Sequence, residues 1–203
     1  VFAPLLAPYD PTALNPIEAF ALPGENGHIL GCDNVGRDLL SRIIYGSRVS
    51  LLVAFGGTVV AGLIGVLLGL IAGYFGGIID SIIMRIMDGM LSFPYILLAM
   101  VLMTVLGSGI FNVILAVGIG NIPSFARVVR GEVYIVKNEE YCNAAKVIGV
   151  SRLRLLFTHI LPNTISPLIV YATLGIAGAI ISEAALSFLG LVISESTASW
   201  GSI

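Results

Sequence analysis

Hydrophobic residues in this chain come in long charge-free runs broken by short polar stretches. No charged side chain occurs at 49–79, at 89–126 or at 155–182. A spanning helix needs about 20 predominantly apolar residues. The first and third runs therefore hold one span each and the second is long enough for two. The expected spans are 49–73, 82–106, 110–129 and 162–191. Before them, residues 3–28 carry five prolines (Pro4, Pro8, Pro11, Pro16, Pro23) and read as extended and irregular. Asp38 then starts a short helix whose Leu39, Leu40, Ile43 and Ile44 form an apolar stripe, on the membrane surface or against the bundle, leading into the first span. Small residues recur every fourth position at Gly57, Ala61, Gly65, Gly69 and Gly73. Such a face lets helix backbones approach closely in lipid, for static packing or for a moving pathway.

Between the spans, Gly76-Gly77 and Gly107-Ser108-Gly109 make turns. Arg85 and Asp88, three apart, can pair on one helix face with snorkelling side chains. Pro94 falls within the second span, and Pro123 should kink the third. Arg127 and Arg130 mark the third span's polar end. Residues 138–162 then form a polar, basic island. Asn138 caps a short helix with Glu139 and Glu140 in its first turn, and Gly149 ends it at the C′ position. Ser151 caps a second helix in which Leu153, Leu156, Phe157 and Ile160 make an interfacial stripe, until Pro162 turns the chain back into the bilayer. Ala144 and Ala145 leave a shallow surface that could enter a partner's groove.

Composition agrees with a polytopic membrane protein. Of 203 residues, 57% are hydrophobic and 11% charged, against about 25% charged in soluble domains, and the mean hydropathy is +1.01. The net charge of −2 carries no nucleic-acid signal. Cys32 and Cys142 are too few for a disulfide framework, and the topology puts them on opposite sides. With four spans, the side carrying 74–88 and 127–162 holds seven of the ten basic residues. That makes the island cytosolic and both ends external. Residues 1–48 then form an extracytoplasmic segment and 49–203 the membrane domain. The chain lacks an initiator Met and stops at Ile203, which reads as a fragment.

The motifs also resemble a known family. Ala144-Ala145, three residues, Gly149, then His159-Ile160-Leu161-Pro162 resembles the EAA loop of ABC-importer permeases. HILGCDNVGRDLLSRIIYGSRVSLLV, AGYFGGIIDSIIMRIMD, ARVVRGEVYIVKNEEYCNAAKVIG, HILPN and EAALSFLGL together resemble the C-type permease of dipeptide, oligopeptide and nickel importers, across nearly the whole chain. The resemblance implies an all-α type I permease bundle of six spans, one lying mostly before Val1 and one after Ile203. It implies alternating access driven by two cytosolic ATPase subunits docked on loop 131–162. A second permease and an extracytoplasmic substrate-binding protein complete the implied assembly, in a bacterial or archaeal cytoplasmic membrane. The coupling residues it implies are Asn143, Ala144, Ala145 and Gly149, with Arg152 and Arg154 supporting orientation. Asn143 stands where the family usually has Glu, so an ion pair there is not expected.

Other chemistry finds less support. Glu183 is the one acid deep in an apolar span. Twenty-one residues from Pro162 rise about 32 Å, roughly the ~30 Å core, so a structural or outer-gate role is favoured over substrate binding. His28, Cys32 and Asp33 do not make a closed metal site. His159 has no catalytic constellation. Lys137 follows Val136 and Lys146 follows Ala145, so there is no Gly-Lys-Ser/Thr phosphate loop; ATP is expected on partner subunits, with no cofactor in this chain. A self-powered secondary transporter would need intramembrane coupling residues, and a membrane enzyme a convergent catalytic set.

Overall fold

A computed structural model describes residues 3–190 and 198–203. These residues are helical, with no strand among them beyond one isolated bridge between Cys32 and Asp38. The elements are α1 (Ala3–Leu6), α2 (Leu39–Phe75), α3 (Gly77–Leu91), α4 (Tyr95–Leu106), α5 (Ile110–Val136), α6 (Glu140–Val147), α7 (Arg152–Leu155) and α8 (Leu161–Phe188). The expected end of the last span at Leu191 lies outside the described residues.

The short surface helix and the first span are one element. Asp38 caps it as expected, its side chain accepting from the Ser41 amide at 2.8 Å. The helix then runs 37 residues to Phe75. No proline interrupts this stretch, and residue 48 marks no break.

The small-residue face is the seam between α2 and α5. Gly57, Ala61, Gly65, Gly69 and Gly73 are all buried. A Cβ on Gly57 would meet Val117 at 2.9 Å, one on Gly65 would meet Phe125 at 2.5 Å, and one on Gly73 would meet Val133 at 2.8 Å. On Gly69 it would meet the Ala126 carbonyl at 2.5 Å and Val129 at 2.7 Å. The side chains opposite these four glycines each lie 60 positions further along the chain (57 and 117, 65 and 125, 69 and 129, 73 and 133), so α2 and α5 run parallel. α8 runs the other way: Glu183 bonds Ser50, whereas Gly175 lies beside Thr58.

Parallel neighbours in one layer require a return crossing between them, and only α3 and α4 lie there. The single span expected at 82–106 is instead two helices bent by 90° at Ser92-Phe93-Pro94. Pro94 supplies no N–H, and the residue before a proline is pushed out of helical conformation. α2, α5 and Arg152–Phe188 are each long and apolar enough to cross a membrane, and the bent pair can make a fourth crossing. Arg85 and Asp88 do not pair. Asp88 takes Arg127 of α5 at 2.7 Å, and Asp80 takes Arg130 through two bonds of 2.5 and 2.6 Å. Both arginines sit within α5, which runs on to Val136 rather than ending near 129. The positive φ of Gly107 and of Gly109 makes the turn between α4 and α5.

The segment before α2 folds onto the start of that helix. The buried His28 ring bonds Asp38 at 2.8 Å and Glu18 at 3.2 Å and lies 4.5 Å from the Tyr9 ring. Asp33 is taken by Arg37 at 2.6 Å. His28 and Asp33 are thus engaged within the fold, and no metal-binding cluster occurs among the described residues. Cys32 and Cys142 are buried and unpaired. The Asp38 bond holds the His28 pKa above its ordinary 6.5 against the opposing effect of burial, with Glu18 adding to the rise. Burial alone would raise Asp38, but Ser41 and His28 outweigh it and keep its carboxyl below the ordinary value. A raised histidine stabilises fully below about pH 6.5 and loses that contribution as pH rises through the folded value. Asp38 works in the opposite sense and fails only in acid. The thermal midpoint should therefore fall between pH 6 and pH 9, and His28→Gln should flatten that slope.

Candidate functional site: the island between α5 and α8

The island is built by two helix ends meeting at one glycine. The cap of α6 is Glu139, not Asn138, whose side-chain amide instead donates to the Tyr134 carbonyl at 2.8 Å and finishes α5. Glu140 in the first turn and Lys146 in the last suit the helix dipole. At the other end the Val150 amide reaches the Ala145 carbonyl and the Gly149 amide reaches that of Lys146, both at 3.1 Å. This is a Schellman closure, and Gly149 takes the left-handed φ of +84° it requires.

Beyond Gly149 the chain does not turn at Pro162. α7, a π-helical turn over Leu156–Ile160 and α8 form one continuous rod, Arg152–Phe188. Pro162 cannot donate to the carbonyl four residues back. The chain widens just before it, with the Leu161 amide bonding the Leu156 carbonyl five residues back. The π turn also breaks the stripe expected at Leu153, Leu156, Phe157 and Ile160. Leu156 and Ile160 are buried together with Leu155, while Leu153 and Phe157 are exposed.

Consecutive residues on a helix are about 100° apart, and this separates the two alanines. Ala145 faces inward, buried with Cys142 in a core that includes Leu70, Val129, Val133, Val136, Leu155, Leu156 and Ile160. It is therefore internal packing rather than part of an outer surface. Ala144 faces out. On the same side of α6 are Val147, 86% exposed, and Ile148, 80% exposed, and Leu153 of α7 is 66% exposed. The small-residue pattern does not point to these aliphatic residues, although 144, 147 and 148 share one face by spacing. Asn143 is exposed; its side chain reaches the Asn138 carbonyl at 3.4 Å and accepts from Lys146 at 3.2 Å. Arg152 and Arg154 are exposed, and no salt bridge engages either among the described residues. The island is fixed to the spans by Lys137, whose ammonium bonds the Gly73 carbonyl at 2.6 Å at the end of α2.

Two further polar groupings lie inside the bundle. Glu183 is fully buried and accepts from Ser50 at 2.7 Å and Ser187 at 2.8 Å, and the Ser50 hydroxyl also accepts from the Trp200 amide at 3.2 Å. It ties α2, α8 and the 198–203 segment together. Glu183→Ala should cost about 2–3 kcal/mol by orphaning buried hydroxyls, with Glu183→Gln costing less, as read from thermal unfolding in detergent. The second grouping was not foreseen from sequence. Tyr95 of α4 donates to the Val117 carbonyl and accepts from Asn121, both at 3.3 Å, with Ser182 of α8 in bonding reach.

Long apolar helices, a return crossing and a compact polar island at one end define a multi-pass, all-α membrane subunit. The chain belongs to the family described as binding-protein-dependent transport system inner membrane component, which it matches over residues 65–203. It is an ABC-importer permease subunit. Over its whole length it is 45% identical to the probable D,D-dipeptide transport system permease protein of Escherichia coli (strain K12), covering 68% of that protein. It is 41% identical to the di/tripeptide permease protein of Pseudomonas aeruginosa, covering 69%, and 40% identical to the oligopeptide permease protein of Bacillus subtilis, covering 67%. The chain thus spans about two thirds the length of these relatives.

Proposed function

We propose that this subunit forms part of an ATP-driven importer of short peptides in the cytoplasmic membrane, with its energy supplied through the island by cytosolic ATPases. The observation that carries the reading is the two-sidedness of the island. Its inner face shares one core with α2, α5 and α8, and its outer face presents Ala144, Val147, Ile148 and the Gly149 turn. A partner pressing on the outer face moves residues packed directly against the spans, because close-packed cores transmit displacement rather than absorb it. Asn143 contributes a hydrogen-bonding amide instead of a charge, and Arg152 and Arg154 stand free to orient the partner. Gly149 sets the angle between α6 and α7. A second permease completes the pathway, and an extracytoplasmic binding protein delivers cargo at the end where His28, Asp38 and Trp200 gather. Glu183 stands beneath that end as a brace for the outer gate.

Peptide cargo is supported by the relatives, named for dipeptides, di/tripeptides, oligopeptides and glutathione. The chain contains no phosphate-binding loop of its own, so ATP is assigned to the partners. Uptake of a labelled dipeptide into proteoliposomes carrying both permeases, the binding protein and the ATPases should require ATP. Uptake that persisted with the ATPases omitted would favour a self-powered transporter and end this reading.

A further inference from the structure

Beside the island, a cleft of about 580 Å³ opens between the end of α2 and the flank of α6. Tyr74, Phe75, Lys137, Lys146 and Arg152 line it, and no carboxylate does. We propose that this cleft binds the phosphate of an anionic phospholipid from the cytosolic leaflet.

The Lys137 ammonium bonds the Gly73 carbonyl at 2.6 Å, and Lys146 bonds the Lys137 carbonyl and the Asn143 side chain, both at 3.2 Å. Every acceptor is neutral, so these bonds position the cations without compensating them. Arg152 has no ion pair among the described residues. Asn143 matters here. A carboxylate at this position, three residues before Lys146, would neutralise part of the cleft, and the amide leaves it cationic.

Depth supplies the second argument. Arg48 is exposed within α2 just before its charge-free run, and the 60-residue offset sets Arg130 of α5 beside Leu70. From Val49 to Leu70 the helix rises about 32 Å, close to the ~30 Å hydrocarbon core. Tyr74 and Phe75 lie about 6–8 Å further on, at headgroup depth in a bilayer of about 40–45 Å overall. Their rings meet edge to face at 5.2 Å, and Phe75 is 43% exposed, as suits interfacial aromatics. Basic pockets at helix ends on the cytosolic side are fitted to anionic headgroups.

The cleft and the coupling surface lie on different sides of α6. Lys146 is on the flank of α6, while Ala144, Val147 and Ile148 are exposed on its outer side; of the cleft residues only Arg152 is shared with the coupling surface, and with lipid bound Arg154 remains to orient the ATPase. A bound headgroup would bridge the ends of α2 and α5 to α6 and stiffen the island. This inference does not depend on the cargo.

The test uses the complete purified transporter and a fluorescent phosphatidylglycerol, with phosphatidylcholine of equal chain length as the comparison. Phosphatidylglycerol should bind in preference. Lys146→Gln should weaken it roughly fivefold, and Lys137→Gln with Lys146→Gln roughly 25-fold, from the usual worth of one cation at an anionic surface. Arg85→Gln, on a different face, should leave it unchanged and controls for general surface charge. Three outcomes overturn the proposal: equal binding of the two lipids; equal binding by the Lys146→Gln variant; or inorganic phosphate binding the cleft while phosphatidylglycerol does not, which would make a free anion the ligand. Where the second outcome comes with lost ATPase retention, the cleft's partner is a protein carboxylate instead.

Discussion

Ile148→Asp will leave the subunit folded and inserted yet weaken ATPase binding about 30-fold, with peptide uptake falling in step. The side chain is 80% exposed and Val147 beside it 86% exposed, so neither contributes to the subunit's own core. Burying one such aliphatic residue against a partner is worth about 2 kcal/mol, and 1.4 kcal/mol is tenfold in affinity. Aspartate forfeits that contribution and must also be desolvated. Ala145→Leu should behave differently. It enlarges a side chain packed with Cys142, Leu155 and Ile160, so subunit stability should drop along with transport. Uncoupling with full stability identifies the outer face, and uncoupling with lost stability identifies the inner one. Titration of detergent-solubilised permease pairs with labelled ATPase, read beside thermal unfolding, separates the two.

Gly69→Leu will have the largest effect on the bundle itself. The nearest atoms to a Cβ at this position are the Ala126 carbonyl at 2.5 Å and the Val129 Cβ at 2.7 Å. Neither is the flexible end of a side chain, so the helices must separate. Overpacking usually costs about 1–3 kcal/mol, and a leucine against backbone belongs at or above the upper figure. At about 3 kcal/mol the thermal midpoint should fall roughly 6–12 °C for a chain of this size. Gly131→Leu is the control, because nothing lies within 4 Å of a Cβ there. It should leave the midpoint unchanged.

The features legible in sequence were those set by local chemistry or a repeating period. The charge-free runs gave the helical membrane class, the four-residue repeat from Gly57 to Gly73 gave a packing face, and Gly149 gave a helix stop. The partner of that face was not legible, since the match with α5 depends on contacts 60 positions away. The same limit explains Asp80 and Asp88. Local spacing offered Arg85 to Asp88 and nothing to Asp80, but the bonds go to Arg127 and Arg130 across 39 and 50 positions. The two prolines misled in opposite directions. Pro94 bends its crossing by 90°, whereas Pro162 is absorbed by a π turn and passes without a break. Pro123 and Pro167 likewise lie inside unbroken helices, α5 and α8. On α6 the helical period was legible: position 145 falls on the buried side with Cys142, while 144, 147 and 148 fall on the exposed side.

The account rests on the island being a cytosolic surface covered by the ATPase. Labelling of Ile148→Cys with a membrane-impermeant maleimide tests this directly, since Cys32 and Cys142 are buried. The prediction is rapid labelling in inside-out membranes, none in right-side-out cells, and strong protection once the ATPase subunits are bound. Labelling from the outside, or an equal rate with and without bound ATPase, would contradict it.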